Sequence, residues 1–287
     1  MPRAPRDGAA RSPAMLRKRM RSGRPAEPPS TTDVTVTFPW CLERGAGAHP
    51  QYLWGVLLAV RIAKALQIER ISAIEFGVAG GNGLIALERA ASAAAELSGV
   101  ELDVYGFDIV SGFPMPTDHR DLPQLIVPGW FEMDVEALRA RLTSAQLLLG
   151  PVAETVPGFV AEGHAPIGFM AFDLDLYSAT MEAFGVLEQG PDRLLPRAVC
   201  YFDDLFGYAW HDYNGERAAI ADFNASHEQR KLAKVHGLRY SLPPSEWRRA
   251  WHEQMYIAHL FDHPDYCASE GPLAEGWQAS HRLASER

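Results

Sequence analysis

The chain has 287 residues, is 47% hydrophobic and 22% charged, and carries a formal net charge of −9. These values suit a globular protein with ample core, and the acidic balance argues against general nucleic-acid binding by the folded body. No run of about 18 apolar residues exists, so no membrane span is expected, and three scattered cysteines, Cys41, Cys200 and Cys267, point to a reducing, cytoplasmic setting without disulfides.

Residues 1–33 hold seven Arg and one Lys against Asp7, Glu27 and Asp33, a net +5 that leaves −14 for the rest. This stretch reads as a disordered basic tail, a reading favoured over a transit peptide of similar composition. Residues 34–50 read as an irregular entry, and 51–66 as a helix by apolar spacing. Residues 71–76 form an apolar strand that runs into a glycine-rich turn, Gly77 to Gly83, and an alanine-rich helix over 83–97. A second strand, 103–108, ends in Asp108. Residues 109–130 contain four prolines and read as a long loop. A helix over 134–142 follows, with Asp134 as its N-cap, then a buried strand over 145–150 and a short helix near 155–159. Further on come a strand over 167–173, a helix over 178–188, a strand over 198–203 and a helix over 215–232. Two more strands are expected at 238–242 and 255–261. Residues 271–287 look loose, so the expected body is one domain over 34–270.

Strands alternating with helices predict a Rossmann-like, doubly wound α/β fold: a mostly parallel seven-stranded sheet with helices on both faces. Ligands of such sheets bind at the carboxyl ends of the strands. Three strands end there in acids, Asp108, Asp173 and Asp203. Asp108 lies about 25–30 residues past the glycine turn, near the place of the acid that holds ribose hydroxyls. Asp173 and Asp175 share a face if the strand continues. Asp173, Asp203 and Asp204 offer hard oxygen ligands, suited to Mg²⁺ or a similar ion, against the alternative of helix caps and solvated loop acids. His211, just past the acidic pair, is either a general base or a plain loop histidine. His252, His259 and His263 lack the spacing of a transition-metal site.

Several of these segments resemble a known family. Glu75-Phe-Gly-Val-Ala-Gly-Gly-Asn-Gly83 is similar to the first motif of class I S-adenosylmethionine-dependent methyltransferases. Asp108-Ile-Val-Ser-Gly-Phe-Pro114, Gly150-Pro-Val-Ala-Glu-Thr-Val-Pro157, Asp173-Leu-Asp-Leu-Tyr-Ser-Ala-Thr180 and the Asp203-Asp204 pair resemble segments of the macrocin O-methyltransferase (TylF/MycF-like) group. The resemblance spans about residues 70–225. It implies a metal-assisted O-methyltransferase acting on a hydroxyl of a sugar or polyketide-like molecule. S-adenosyl-L-methionine would be held by Glu75, Gly77, Ala79, Gly80, Gly81, Asn82 and Asp108. Asp173, Asp203 and Asp204 would hold Mg²⁺; the positions of Asp175 and His211 beside these acids add them to Asp173 as catalytic candidates. The partner implied is a small hydroxylated substrate, not nucleic acid or membrane, and a homo-oligomer is left open. The chain departs from the group at Leu195-Pro-Arg197, at Leu205 and throughout 240–266. A metal-dependent glycosyltransferase using Asp173-Leu-Asp175, or a non-catalytic cofactor-binding protein, are the alternatives.

Overall fold

The computed structural model describes residues 27–268. Most of the basic tail and all of residues 271–287 therefore lie outside the described residues.

The entry segment is not irregular. Helix α1, Val34–Glu43, is capped by Asp33, whose carboxylate accepts from the Thr35 N–H at 2.9 Å. Val34, Thr37, Phe38 and Cys41 recur at helical spacing and are all buried, with Phe38 against Trp251. Burial of that stripe outweighs the backbone bond lost at Pro39, which lies inside the helix. Helix α2, Pro50–Ala65, begins on a proline, as suits a first helical position.

The sheet comprises β1 (Arg70–Phe76), β2 (Glu101–Asp108), β3 (Gln146–Leu149), β4 (Ile167–Phe172), β5 (Leu194–Phe202), β6 (Arg230–Lys234) and β7 (Met255–Leu260). Their order is β3-β2-β1-β4-β5-β7-β6. The pairs from β3 through β5 are parallel, and β7 runs antiparallel between β5 and β6. The seven-stranded, mostly parallel, Rossmann-like sheet is thus present. β1 and β4 sit side by side while their crossovers leave in opposite directions, and a cleft opens there above the strand ends.

The connecting helices are α3 (Asn82–Ser98), α4 (Val135–Arg139), α5 (Val152–Glu162), α6 (Tyr177–Ala183) and α7 (Gly215–Ser226). α1, α2 and α3 build one core layer with Ile71 and Ala73 of β1. α5, α6 and α7 build the other with Ile74 and Phe76. The period-two alternation of β1 feeds both layers. Asp134 caps α4 as expected, accepting from Ala137 N–H at 3.0 Å.

Four further expectations need correction. β3 is a half-exposed edge strand, not a buried one. α5 is a full helix of 11 residues despite Pro157, because Val152, Val156 and Phe159 pack inward. The helix expected to reach residue 232 ends at Ser226, and Arg230-Lys-Leu-Ala-Lys234 is strand β6. Asn224, in the last turn of α7, bonds both backbone groups of Leu232 at 2.8 Å and so ties β6 to the helix. Residues 238–242 are not a strand: Leu238–Ser241 form a single tight turn of helix.

Candidate active site

The glycine-rich turn is shaped by contacts it cannot escape. Gly77 leaves β1 at φ +84°, and its amide donates to Phe107 O at 2.9 Å. Ala79 also has positive φ, +43°. Asp108 holds the turn from the end of β2. Its Oδ2 accepts from Val78 N–H at 3.0 Å and Ala79 N–H at 2.8 Å, and its Oδ1 from Val110 N–H at 2.6 Å. Asp108 therefore shapes the turn and, with spare lone pairs, still faces the adjoining cavity. From below, Leu138 fills the space where Gly81 would carry a Cβ, and Arg141 donates to Gly80 O at 3.3 Å and Asn82 Oδ1 at 3.0 Å.

Glu75, the penultimate residue of β1, is 1% exposed. Its Oε1 accepts from the Tyr52 hydroxyl at 2.6 Å, whereas Oε2 is buried with no partner. A Cβ on Gly83 would lie 1.9 Å from Oε1, so a glycine is needed where α3 passes this carboxyl. Burial pushes the Glu75 carboxyl well above the usual carboxylate range; the Tyr52 bond opposes that rise, and Asp173 adds to it.

The acids expected at the rim do converge. One oxygen from each of Asp173, Asp203 and Asp204 lies within 4.8 Å of the others, the only such group among the described residues. β4 stops at Phe172, so Asp173 and Asp175 lie beyond it and the strand alternation does not govern them. Asp173 N–H donates to Phe76 O and Asp203 N–H to Phe172 O, each at 2.9 Å, which ties the three strand ends into one rim. Tyr201 hydroxyl donates to Asp203 Oδ1. Asp175 adopts φ +56°, and its N–H donates to Asp204 Oδ2 at 3.1 Å. Beneath the rim lies Glu216, fully buried at the start of α7, accepting from Asp204 N–H at 3.0 Å and Leu174 N–H at 3.4 Å.

So many carboxyls in one place cannot all ionise cheaply. Asp173 is solvent-exposed, yet it stands at the junction of two cavities with Asp203 and Asp204 beside it. Its carboxyl is pushed up to about 8, by burial first and then by Asp203 and Asp175. Asp175, Asp204 and Glu216 are also raised, each chiefly by burial. A divalent cation is the natural relief of this arrangement, and the donor set is all hard oxygen. The residues present fit such an ion.

Two cavities meet at Asp173. The larger, about 580 Å³, runs past Gly77, Asp108, Phe113 and Val152 to Asp175 and Glu182. The smaller, about 260 Å³, is lined by His49, Tyr52, Glu75, the turn Gly80–Gly83, Asp173 and Asp203. The sequence reading missed His49, Tyr52 and Asp121. Asp121, 1% exposed, accepts from Ser178 N–H at 2.8 Å and Ser178 Oγ at 3.0 Å. It thereby caps the start of α6. His211 is not brought into either cavity. Its ring nitrogens face Asn214 Nδ2 at 3.0 Å and Tyr213 N–H at 3.3 Å within its own turn. No sequence pattern marks His49, which lay in the segment read as irregular.

No family model and no curated relative matches the chain. Among solved structures, the O-methyltransferase NovP is similar with a TM-score of 0.51 at 13% identity, over 73% of this chain and 79% of that one. The calicheamicin methyltransferase CalS11 has a TM-score of 0.49 at 20% identity, over 81% and 93% of the two chains. The O-methyltransferase TomG from Streptomyces achromogenes has 0.41 at 16%, over 74% and 80%. The likeness to NovP supports the Rossmann-like fold. No helix among the described residues is long and apolar enough to cross a membrane.

Proposed function

We propose that the protein is an S-adenosylmethionine-dependent, divalent-metal-assisted O-methyltransferase. In this reading it belongs with the macrocin O-methyltransferase (TylF/MycF-like) group and acts in the cytoplasm on a hydroxyl of a sugar or polyketide-like molecule. The observation that carries the proposal is the joining of two devices at one residue: Asp173 belongs to the three-carboxylate cluster and also walls both cavities beside the glycine-rich turn.

The chain offers what an adenosyl sulfonium cofactor needs. The orphaned Glu75 Oε2 in the smaller cavity suits an ammonium group, and the open space over Gly80 admits close backbone approach. Asp108 would take the ribose hydroxyls in the larger cavity, beside Val152 and Phe113. When bound, the cofactor supplies an electrophilic methyl group, and an ion on Asp173, Asp203 and Asp204 supplies Lewis acidity that lowers a hydroxyl pKa. The remaining work falls to the protein: Glu216 fixes the backbone that carries the acids, Tyr201 orients Asp203, and Asp175 faces the substrate side from the wall of the larger cavity. Alignment of the hydroxyl with the methyl group then provides much of the rate.

The test is transfer of a labelled methyl group from S-adenosylmethionine to 4-nitrocatechol and to a nucleotide-linked deoxysugar, with Mg²⁺ or with a chelator. Mg²⁺-dependent transfer is expected. Full activity after exhaustive chelation would remove metal assistance from the proposal, and binding of NAD(P) with none of S-adenosylmethionine would remove the proposal itself.

A further inference from the structure

His49 sits where a proton acceptor would be needed. It is the N-cap residue of α2, yet its side chain makes no capping bond; the helix start is served by its carbonyl, which accepts from Tyr52 N–H at 3.1 Å and Leu53 N–H at 3.2 Å. Its Nδ1 is buried and partnerless, a state that buried polar atoms rarely occupy without a functional reason. The ring lies 5.4 Å from the Tyr52 ring, in the wall of the smaller cavity that also holds Asp173 and Asp203. The titratable groups facing that cavity are Tyr52 from α2, Glu75 from β1, Asp173 beyond β4 and Asp203 beyond β5. Burial holds the imidazole below its ordinary value of 6.5, against a smaller opposing pull from Asp203, which favours the neutral ring. With Nδ1 bonded to nothing, neither nitrogen is fixed as the donor, and a lone pair remains to accept a proton.

We propose that His49 is the general base that takes the proton of the hydroxyl being methylated, a role that rests on the methyltransferase reading above. The hydroxyl proton passes to the imidazole lone pair, and the oxygen's electron pair forms the new C–O bond. The pair of the broken C–S bond stays on sulfur, so that a sulfonium becomes a neutral thioether. The imidazolium then releases its proton to solvent. His211, tied into its own turn, is not needed.

The test has two arms. In the first, protein labelled at histidine ¹³Cε1 is observed by NMR at pH 7 with Mg²⁺ and S-adenosylhomocysteine, before and after adding 4-nitrocatechol. The resonance absent from His49→Gln should start at the neutral position and move to the imidazolium position as the probe ionises. In the second arm, His49→Ala and His49→Gln should bind S-adenosylhomocysteine and Mg²⁺ as the wild type does, while methyl transfer to 4-nitrocatechol falls about 10²-fold or more. Added imidazole should restore His49→Ala. A His49 resonance unmoved by the probe, a wild-type rate in either variant, or a rate loss matched by lost Mg²⁺ affinity without imidazole rescue would each overturn the assignment. Wild-type protein that binds no S-adenosylhomocysteine would instead overturn the methyltransferase reading on which it stands.

Discussion

Gly77 and Asp173 touch so closely that a Cβ on Gly77 would stand 1.9 Å from the Asp173 carbonyl oxygen. The end of β1 and the end of β4 are therefore one structural unit, and the glycine is required by the fold before any ligand arrives. Because the obstructing atom is backbone, no rotamer change relieves it, and φ +84° adds about 1–2 kcal/mol for an L-residue.

Gly77→Ala should accordingly lower the melting temperature and displace Asp173. Gly80→Ala should leave stability within about 0.5 kcal/mol, since nothing lies within 4 Å of a Cβ there. Gly80→Val should weaken S-adenosylhomocysteine binding by obstructing close approach. Calorimetric melting and ligand titration of the three variants separate the fold's need for glycine from the ligand's.

The acid cluster makes stability depend on pH with a definite sign. The Asp173 carboxyl is raised from 3.8 to about 8 in the folded protein, so between these values the folded state holds the more protons. Its contribution is then full below about pH 4 and is lost as pH rises toward 8. Asp175, Asp204 and Glu216 are raised too and act in the same direction. Metal-free protein should lose melting temperature between pH 5 and 8, Mg²⁺ should restore it most at the upper end, and Asp173→Asn should flatten both responses. A metal-free melting temperature that climbs across this window would contradict the assignment.

Glu216 is expected to act through the backbone it holds. Glu216→Ala strands the N–H groups of Asp204 and Leu174, each costing about 1–3 kcal/mol where buried. Mg²⁺ affinity should drop by about tenfold or more, as for other groups that orient ligands, while S-adenosylhomocysteine binding changes little. Paired metal and cofactor titrations check this.

Asp173 and Asp175 should divide their labour. Asp173→Asn should abolish Mg²⁺ binding, and Asp175→Asn should spare it while raising KM for the acceptor, because the Asp175 side chain is outside the three-carboxylate group. Its N–H to Asp204 survives the substitution. A titration in which Asp175→Asn loses the ion and Asp173→Asn keeps it would reverse the roles.

What the sequence made legible was local. Apolar strands ending in acids, and a glycine turn opening a helix, placed Asp108, Asp173 and Asp203 on one rim through their shared position at the carboxyl ends of parallel strands. Two kinds of information were hidden. β6 and the helix of residues 34–43 are decided by tertiary partners, Asn224 in one case and Trp251 in the other, which override local pattern. His49 and Asp121 reach the site across the fold from segments with no motif, just as His211, seven residues past the acidic pair, turns away from the cavities.

The central claim meets its most direct test in calorimetric titration of the wild type and of Asp173→Asn with S-adenosylhomocysteine and Mg²⁺. The wild type should bind both, and Asp173→Asn should keep the nucleoside thioether but lose the ion. A wild type that binds neither, or an Asp173→Asn variant that holds Mg²⁺ as tightly as the wild type, would contradict it.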